Sequence, residues 1–175
     1  MPRQLYVFRH AKSSWADTAL RDFERPLANR GLKAAPRMGQ RMADHKIAPD
    51  LILCSTSRRT RETLGLVLPF LEGECRILME NGIYEVGSEA TLIERLRQLP
   101  GSIARAMVIG HNPVMQDLTI ALSGNAANQD DLSAVREKFP TAGLAVIDLA
   151  DTPWLSLAPG CGSLSAFWRP RQVGD

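Results

Sequence analysis

Short, nearly continuous apolar runs alternate with longer segments of helical period, and this alternation restricts the possible folds more than any other feature. Residues 5–8, 51–54, 76–79 and 106–109 read as strands, and their unbroken hydrophobicity predicts burial on both faces. Residues 30–44, 58–71, 90–99 and 114–122 read as helices, the last carrying Val114, Leu118 and Leu122 on one stripe. Strands separated by helices predict a parallel sheet covered on both faces. The tail changes character: residues 142–149 and 163–168 read as two strands joined by a loop containing Pro153, Pro159, Gly160 and Gly162, which predicts an antiparallel edge. The expected architecture is a single three-layer α/β/α domain over residues 1–168, followed by a polar C-terminal tail, 169–175, that frays. Pro36 conflicts with the first helix, because inside a helix it removes a hydrogen bond at a cost of ~3 kcal/mol; a later helix start or a kink is expected there.

Composition narrows the function. A chain of 175 residues with 45% hydrophobic content suits one domain with one sizeable core. With 21 Lys and Arg against 19 Asp and Glu, no electrostatic footprint for nucleic acid exists. Cys54, Cys75 and Cys161 lack CxxC spacing and read as reduced, buried thiols. No run reaches the ~18 to 20 apolar residues of a membrane span and no signal-peptide run opens the chain, so a soluble cytoplasmic protein is expected.

The chemistry gathers where strands end. Of three histidines, His10 and His111 directly follow strands, in Tyr-Val-Phe-Arg-His and Met-Val-Ile-Gly-His, and ligands of open α/β sheets bind at the carboxyl ends of strands. The second strand runs into a helix whose first turns carry Arg58, Arg59 and Arg61. Cations are disfavoured at that end of a helix dipole, which makes sense if a dianion docks there. Arg59 and Thr63, four apart, share a face. His111 precedes Asn112-Pro113, with Asn a favoured N-cap and Pro suited to the first helical position, so backbone N–H groups beside His111 can receive phosphate oxygens.

Taken in order, these residues resemble the histidine phosphatase superfamily, to which the phosphoglycerate mutases belong. The resemblance rests on Arg9-His10-Ala11, Arg25-Pro-Leu with Arg30-Gly31, Ser55 with Arg59 and Thr63, and Gly110-His111-Asn112-Pro113. The form Arg-His-Ala-Lys-Ser and the short chain are similar to the small phosphohistidine phosphatases of the SixA type. The resemblance implies a phosphoglycerate mutase-like fold, a nucleophilic His10, and a phosphate pocket of Arg9, Arg59 and His111, without cofactor or metal. A neutral imidazole can attack phosphorus in line, while two guanidiniums and a protonated second imidazole neutralise the equatorial oxygens. Ser13 and Asn112 are further candidates for phosphate contact. Departures from the family pattern are Ala11 for glycine, Thr60 for alanine and Ala16 for asparagine. The family's carboxylic acid lies in a Leu-x-Glu stretch, which points to Glu80, with Glu85 as the second candidate.

Substrate class follows from the leaving group. An alkoxide needs a proton from a placed acid, whereas imidazole, with a reference pKa of ~6.5, leaves with less help. Only about 25 residues separate Met79 from the next strand, too few for a long insertion over the site. The expected substrate is therefore a phosphorylated protein, such as a histidine phosphotransfer domain. A small phosphate ester hydrolysed with low selectivity is the alternative, and a phosphoprotein-binding module comes third.

Overall fold

The computed structural model describes residues 1–124 and 128–170. The central sheet has six strands: β1 (Arg3–Arg9), β2 (Leu51–Ser55), β3 (Arg76–Glu80), β4 (Arg105–Gly110), β5 (Leu144–Ala150) and β6 (Ser163–Trp168). Their order is β3-β2-β4-β1-β5-β6, parallel from β3 to β1 and antiparallel at β5 and β6. All six expected strands are present.

Alternating side chains feed two cores, one on each face. Leu5, Val7, Leu53 and Val108 point to one side, under α4 (Glu89–Arg97), α5 (Val114–Leu122) and α6 (Gln129–Glu137). Tyr6, Phe8, Ile52 and Ile109 point to the other, under α1 (Asn29–Asp44) and α2 (Arg58–Val67). Each such side chain fully removed from water contributes roughly 1.5 to 3 kcal/mol, so the three middle strands cannot slip by one residue without reversing both cores.

Three local expectations are corrected. Helix α1 spans Pro36 after all; the carbonyl deprived of its partner belongs to Leu32, which is exposed, so water can satisfy it. β3 is not buried on both faces but forms an open edge, with Ile77, Leu78 and Met79 each more than a third exposed. An apolar run shows that a residue can be buried, not that a neighbour exists to bury it. The helix expected to reach residue 71 stops at Val67 and continues as a 3-10 turn, Leu68–Phe70, holding Pro69. Two helices were not anticipated, α6 and the short α3 (Asn81–Glu85). Residues 171–175 of the expected tail lie outside the described residues.

Candidate active site

The strand order itself assembles the site. β4 returns between β1 and β2, so the carboxyl ends of these three parallel strands stand side by side, at the point where the chain changes direction across the sheet. Arg9 pairs with Gly110 in register, which sets His10 beside His111; their ring centroids are 5.1 Å apart. Ser55, the last residue of β2, places its Oγ 2.7 Å from His111 Nε2.

Local contacts hold the turn that carries His10. The Ala11 N–H donates to Thr63 Oγ1 at 3.0 Å, and Thr63 Oγ1 donates to the Arg59 carbonyl, tying the turn to α2. On the other side α1 approaches so closely that a Cβ on Gly31 would lie 2.2 Å from the Lys12 carbonyl; only glycine fits. The Ala142 N–H donates to the carbonyls of both Arg9 and His10, from a left-handed backbone with φ 59° that costs a non-glycine residue of order 1 to 3 kcal/mol.

His10 is 7% exposed. Burial, with repulsion from His111, Arg59 and Arg9, lowers its pKa to about 3, so the ring is neutral at neutral pH. Its Nδ1 lies 2.7 Å from the Ala11 carbonyl. A carbonyl only accepts, so Nδ1 carries the proton and Nε2 keeps its lone pair.

His111 differs from expectation. Burial and the charges of Arg59 and Arg9 lower its pKa to about 4, against the opposing pull of Asp22, so without ligand it is neutral rather than protonated. Arg59 Nη2 lies 3.3 Å from His111 Nδ1. Arginine only donates, so Nδ1 accepts and Nε2–H donates to Ser55.

Of the three arginines opening α2, only Arg59 enters the site. Arg58 pairs with Glu62 at 2.7 Å and Arg61 is exposed. Arg9 is partly buried, which lowers its pKa; its Nη1 donates to the Phe139 carbonyl at 2.7 Å, while its buried Nε has no acceptor among the described residues.

The remaining candidates are placed elsewhere or differently. Glu80, the expected acid, has both carboxylate oxygens bonded by Arg95, at 3.0 and 2.5 Å, on the side facing α4. Glu85 is exposed on α3. Ser13 is buried and accepts from Arg25 Nη2 at 2.6 Å, which makes it a support for Arg25. Asn112 does not cap α5; the N-cap is Pro113, after a cis Asn112-Pro113 bond, and the Asn112 amide donates to the Phe139 carbonyl and Gln116.

Sequence reasoning missed Asp22 and Tyr84. Asp22 lies in a 3-10 turn; its carboxylate accepts from Arg59 at 2.9 Å, from Arg25 at 2.8 Å and from the Tyr84 hydroxyl at 3.0 Å. Its carbonyl takes Arg59 Nη1 at 2.6 Å. Burial raises the Asp22 pKa, but these hydrogen bonds outweigh it and leave it at about 2, so Asp22 is an anion and no proton donor. Tyr84 sets its ring edge-on to His111 with centroids 5.6 Å apart. The signal for Asp22 was present three residues before Arg25, but an aspartate in a polar loop has many bland explanations.

Three guanidiniums thus face one carboxylate and two neutral imidazoles, a buried excess of positive charge suited to a phosphoryl dianion. Among the described residues no three or more His, Cys, Asp or Glu side chains gather as a metal site. Cys54 is buried, Cys75 and Cys161 partly so, and all three thiols are free. Among the described residues no helix is long and apolar enough to cross a membrane.

Comparison with known proteins agrees with this geometry. Residues 5–115 match the model of the histidine phosphatase superfamily, branch 1. An uncharacterised protein of Mycobacterium tuberculosis is 34% identical over 167 residues, covering 93% of this chain and 99% of the relative. A candidate phosphohistidine phosphatase, SixA, of Agrobacterium tumefaciens has a structure 30% identical to this chain, with a TM-score of 0.80, covering 97% of this chain and 99% of that one. The protein histidine phosphatase SixA complexed with tungstate, 20% identical, shares the fold with a TM-score of 0.77 over 98% of this chain and 99% of that one.

Proposed function

The chain belongs to the histidine phosphatase superfamily, and from that premise we propose that it hydrolyses phosphohistidine on a protein, through a phosphoryl group carried by His10 Nε2. The observation that carries this reading is the neutral His10 ring with its Nδ1 proton held by the Ala11 carbonyl. In the first step the Nε2 lone pair attacks phosphorus, a new P–N bond forms, and the P–N bond to the substrate imidazole breaks. In the second, water displaces His10 and phosphate departs.

Arg9 and Arg59 take the equatorial oxygens, with Arg9 Nε offering a donor that no group among the described residues uses. An arriving dianion raises the pKa of His111 and protonates Nδ1, which ends its role as acceptor for Arg59 and frees that N–H for phosphate. Ser13 acts through Arg25, and Asn112 through the Phe139 carbonyl it shares with Arg9.

Phosphohistidine is favoured over alkyl phosphates by what lines the site. Glu80 is committed to Arg95 and Asp22 is ionised, so no carboxylic acid stands ready to protonate an alkoxide. An imidazole leaves with less help. The partner on this reading is a phosphorylated protein met in the cytoplasm, a histidine phosphotransfer domain being the simplest kind.

A side-by-side assay tests it. A phosphohistidine-bearing protein should be turned over at least ~100-fold more efficiently by kcat/KM than a phosphoserine peptide or an alkyl phosphate, the loss expected when a general acid is missing. Comparable efficiency on all three would favour a small-molecule phosphomonoesterase of low selectivity.

A further inference from the structure

A second charged feature opens at the same end of the sheet. β6 runs in the direction of β1, since both are antiparallel to β5, so Arg169 and Pro170 leave the sheet where His10 leaves it. They help wall a groove of about 250 Å³, whose lining among the described residues carries Lys12, Arg30, Lys138 and Arg169 against one carboxylate, Glu137. Its floor is formed by small apolar residues from α1 and α6. Lys12, Arg30 and Lys138 are exposed, and none of them forms an ion pair among the described residues.

The groove adjoins the reaction centre. Lys12 is two residues from His10, and Lys138 precedes Phe139, whose carbonyl holds the Arg9 guanidinium at 2.7 Å. A protein that inserts one side chain toward His10 therefore brings neighbouring backbone within a few residues of the groove, at ~3.3 Å per extended residue.

We propose that this groove docks an acidic segment of the phosphorylated protein substrate, beside its phosphohistidine. The proposal rests on the reading of the site given above. Like charges gathered on a rim repel one another; an anionic partner turns that repulsion into steering and orientation. The small floor admits a peptide backbone or short side chains, while selectivity comes from the rim.

The test uses phosphohistidine peptides of one length with acidic or neutral flanks, with p-nitrophenyl phosphate as a substrate that cannot reach the groove. The wild-type protein should prefer the acidic peptide about fivefold or more in kcat/KM, and lose that preference in about 0.5 M salt. The double variant Arg30→Gln/Lys138→Gln should lose the same preference and hydrolyse p-nitrophenyl phosphate like the wild type. Both residues are exposed, and an unchanged melting temperature confirms that the fold is intact. Equal kcat/KM on the two peptides, or a loss shared by p-nitrophenyl phosphate, would overturn the proposal.

Fluorescence anisotropy with an unphosphorylated acidic peptide separates docking from turnover. Binding that the double variant loses upholds the groove even if phosphohistidine proves not to be the substrate. Turnover of phosphohistidine with no peptide binding and no flank preference overturns the groove and leaves the catalytic reading standing. Sedimentation with phosphatidylserine vesicles, lost in the variant while no peptide binds, would assign the rim to a membrane surface and also overturn it.

Discussion

The two ends of the central sheet carry the same kinds of residue to opposite effect. At the amino end lies a surface cavity of about 670 Å³, lined by Arg3, Asp50, Arg105 and Asp148 among others. Its charges are balanced and its partners are supplied from within. Asp50 accepts from the backbone N–H groups of Ala104 and Arg105 and from the Arg105 side chain, at 2.8 to 3.0 Å, and Asp148 accepts from Gln4 at 2.8 Å. At the carboxyl end guanidiniums outnumber carboxylates around two imidazoles held neutral by burial. Charge imbalance under burial, not cavity size, marks the end where an anion belongs.

One substitution at each end should separate them. Replacing Arg59 by Ala should lower kcat by about 10² to 10³, by analogy with loss of one oxyanion donor, measured on purified protein at saturating substrate. Asp50→Asn at the other end should leave kcat unchanged while destabilising the fold by about 1 to 3 kcal/mol in chemical unfolding. If Asp50→Asn lost activity as Arg59→Ala does, the division between a chemical and a structural end would fail.

A subtler change acts on the one carboxylate within the site. For Asp22→Asn, loss of the competing anion on Arg59 should tighten tungstate or phosphate binding about tenfold, while the less firmly aligned guanidinium lowers kcat by a similar factor. Weaker oxyanion binding, read by titration calorimetry, would mean that Asp22 supports the phosphate rather than competing with it.

Acid should reach the two ends at different pH. His10 and His111 are neutral in the fold, with pKa values of about 3 and about 4, but titrate near 6.5 when unfolded. The stability they leave intact above pH ~6.5 is therefore lost as the pH falls toward those folded values, at about 1.4 kcal/mol per unit per histidine. The Asp50 pKa is lowered: burial opposes this, but the Arg105 side chain and the backbone N–H groups of Arg105 and Ala104 outweigh it. The contribution of Asp50 is present above the unfolded value of ~3.9 and disappears only below it. Melting temperatures between pH 7.5 and 4.5 should fall less steeply in a His10→Gln variant, and an unchanged slope would show that the imidazole is not held neutral. The smallest effect is expected for Glu80→Gln: turnover within about twofold of wild type on any substrate, and a stability loss of about 1 kcal/mol from the half-buried pair with Arg95.

Much of this was legible in the amino acids, for reasons that mark where such reading stops. Among the described residues, all six strands and four of the six helices follow from apolar period, because period reports which side of an element is buried. It does not report whether a neighbour stands alongside, and so the unbroken run Ile77-Leu78-Met79 reads as a strand buried on both faces although β3 lies at the edge. His10, His111, Arg9 and Arg59 were accessible because each lies at a strand end or in a helix's first turn, where topology dictates position. Asp22, Tyr84 and the true partner of Glu80 depend on how loops fold across the strand ends, which periodicity does not encode. The protonation of His111 was also out of reach, since it depends on burial and on Arg59, fifty-two residues away in the chain.

The proposed route carries the phosphoryl group through His10 Nε2. Rapid-quench trapping during turnover of a phosphohistidine protein, followed by mass spectrometry and phosphorus NMR under alkaline conditions, addresses it directly. One phosphoryl group is expected on His10, attached at Nε2, formed within the first turnover and absent from His10→Ala. Phosphate found on another residue, or full turnover with no phosphoenzyme and an active His10→Ala variant, would contradict it.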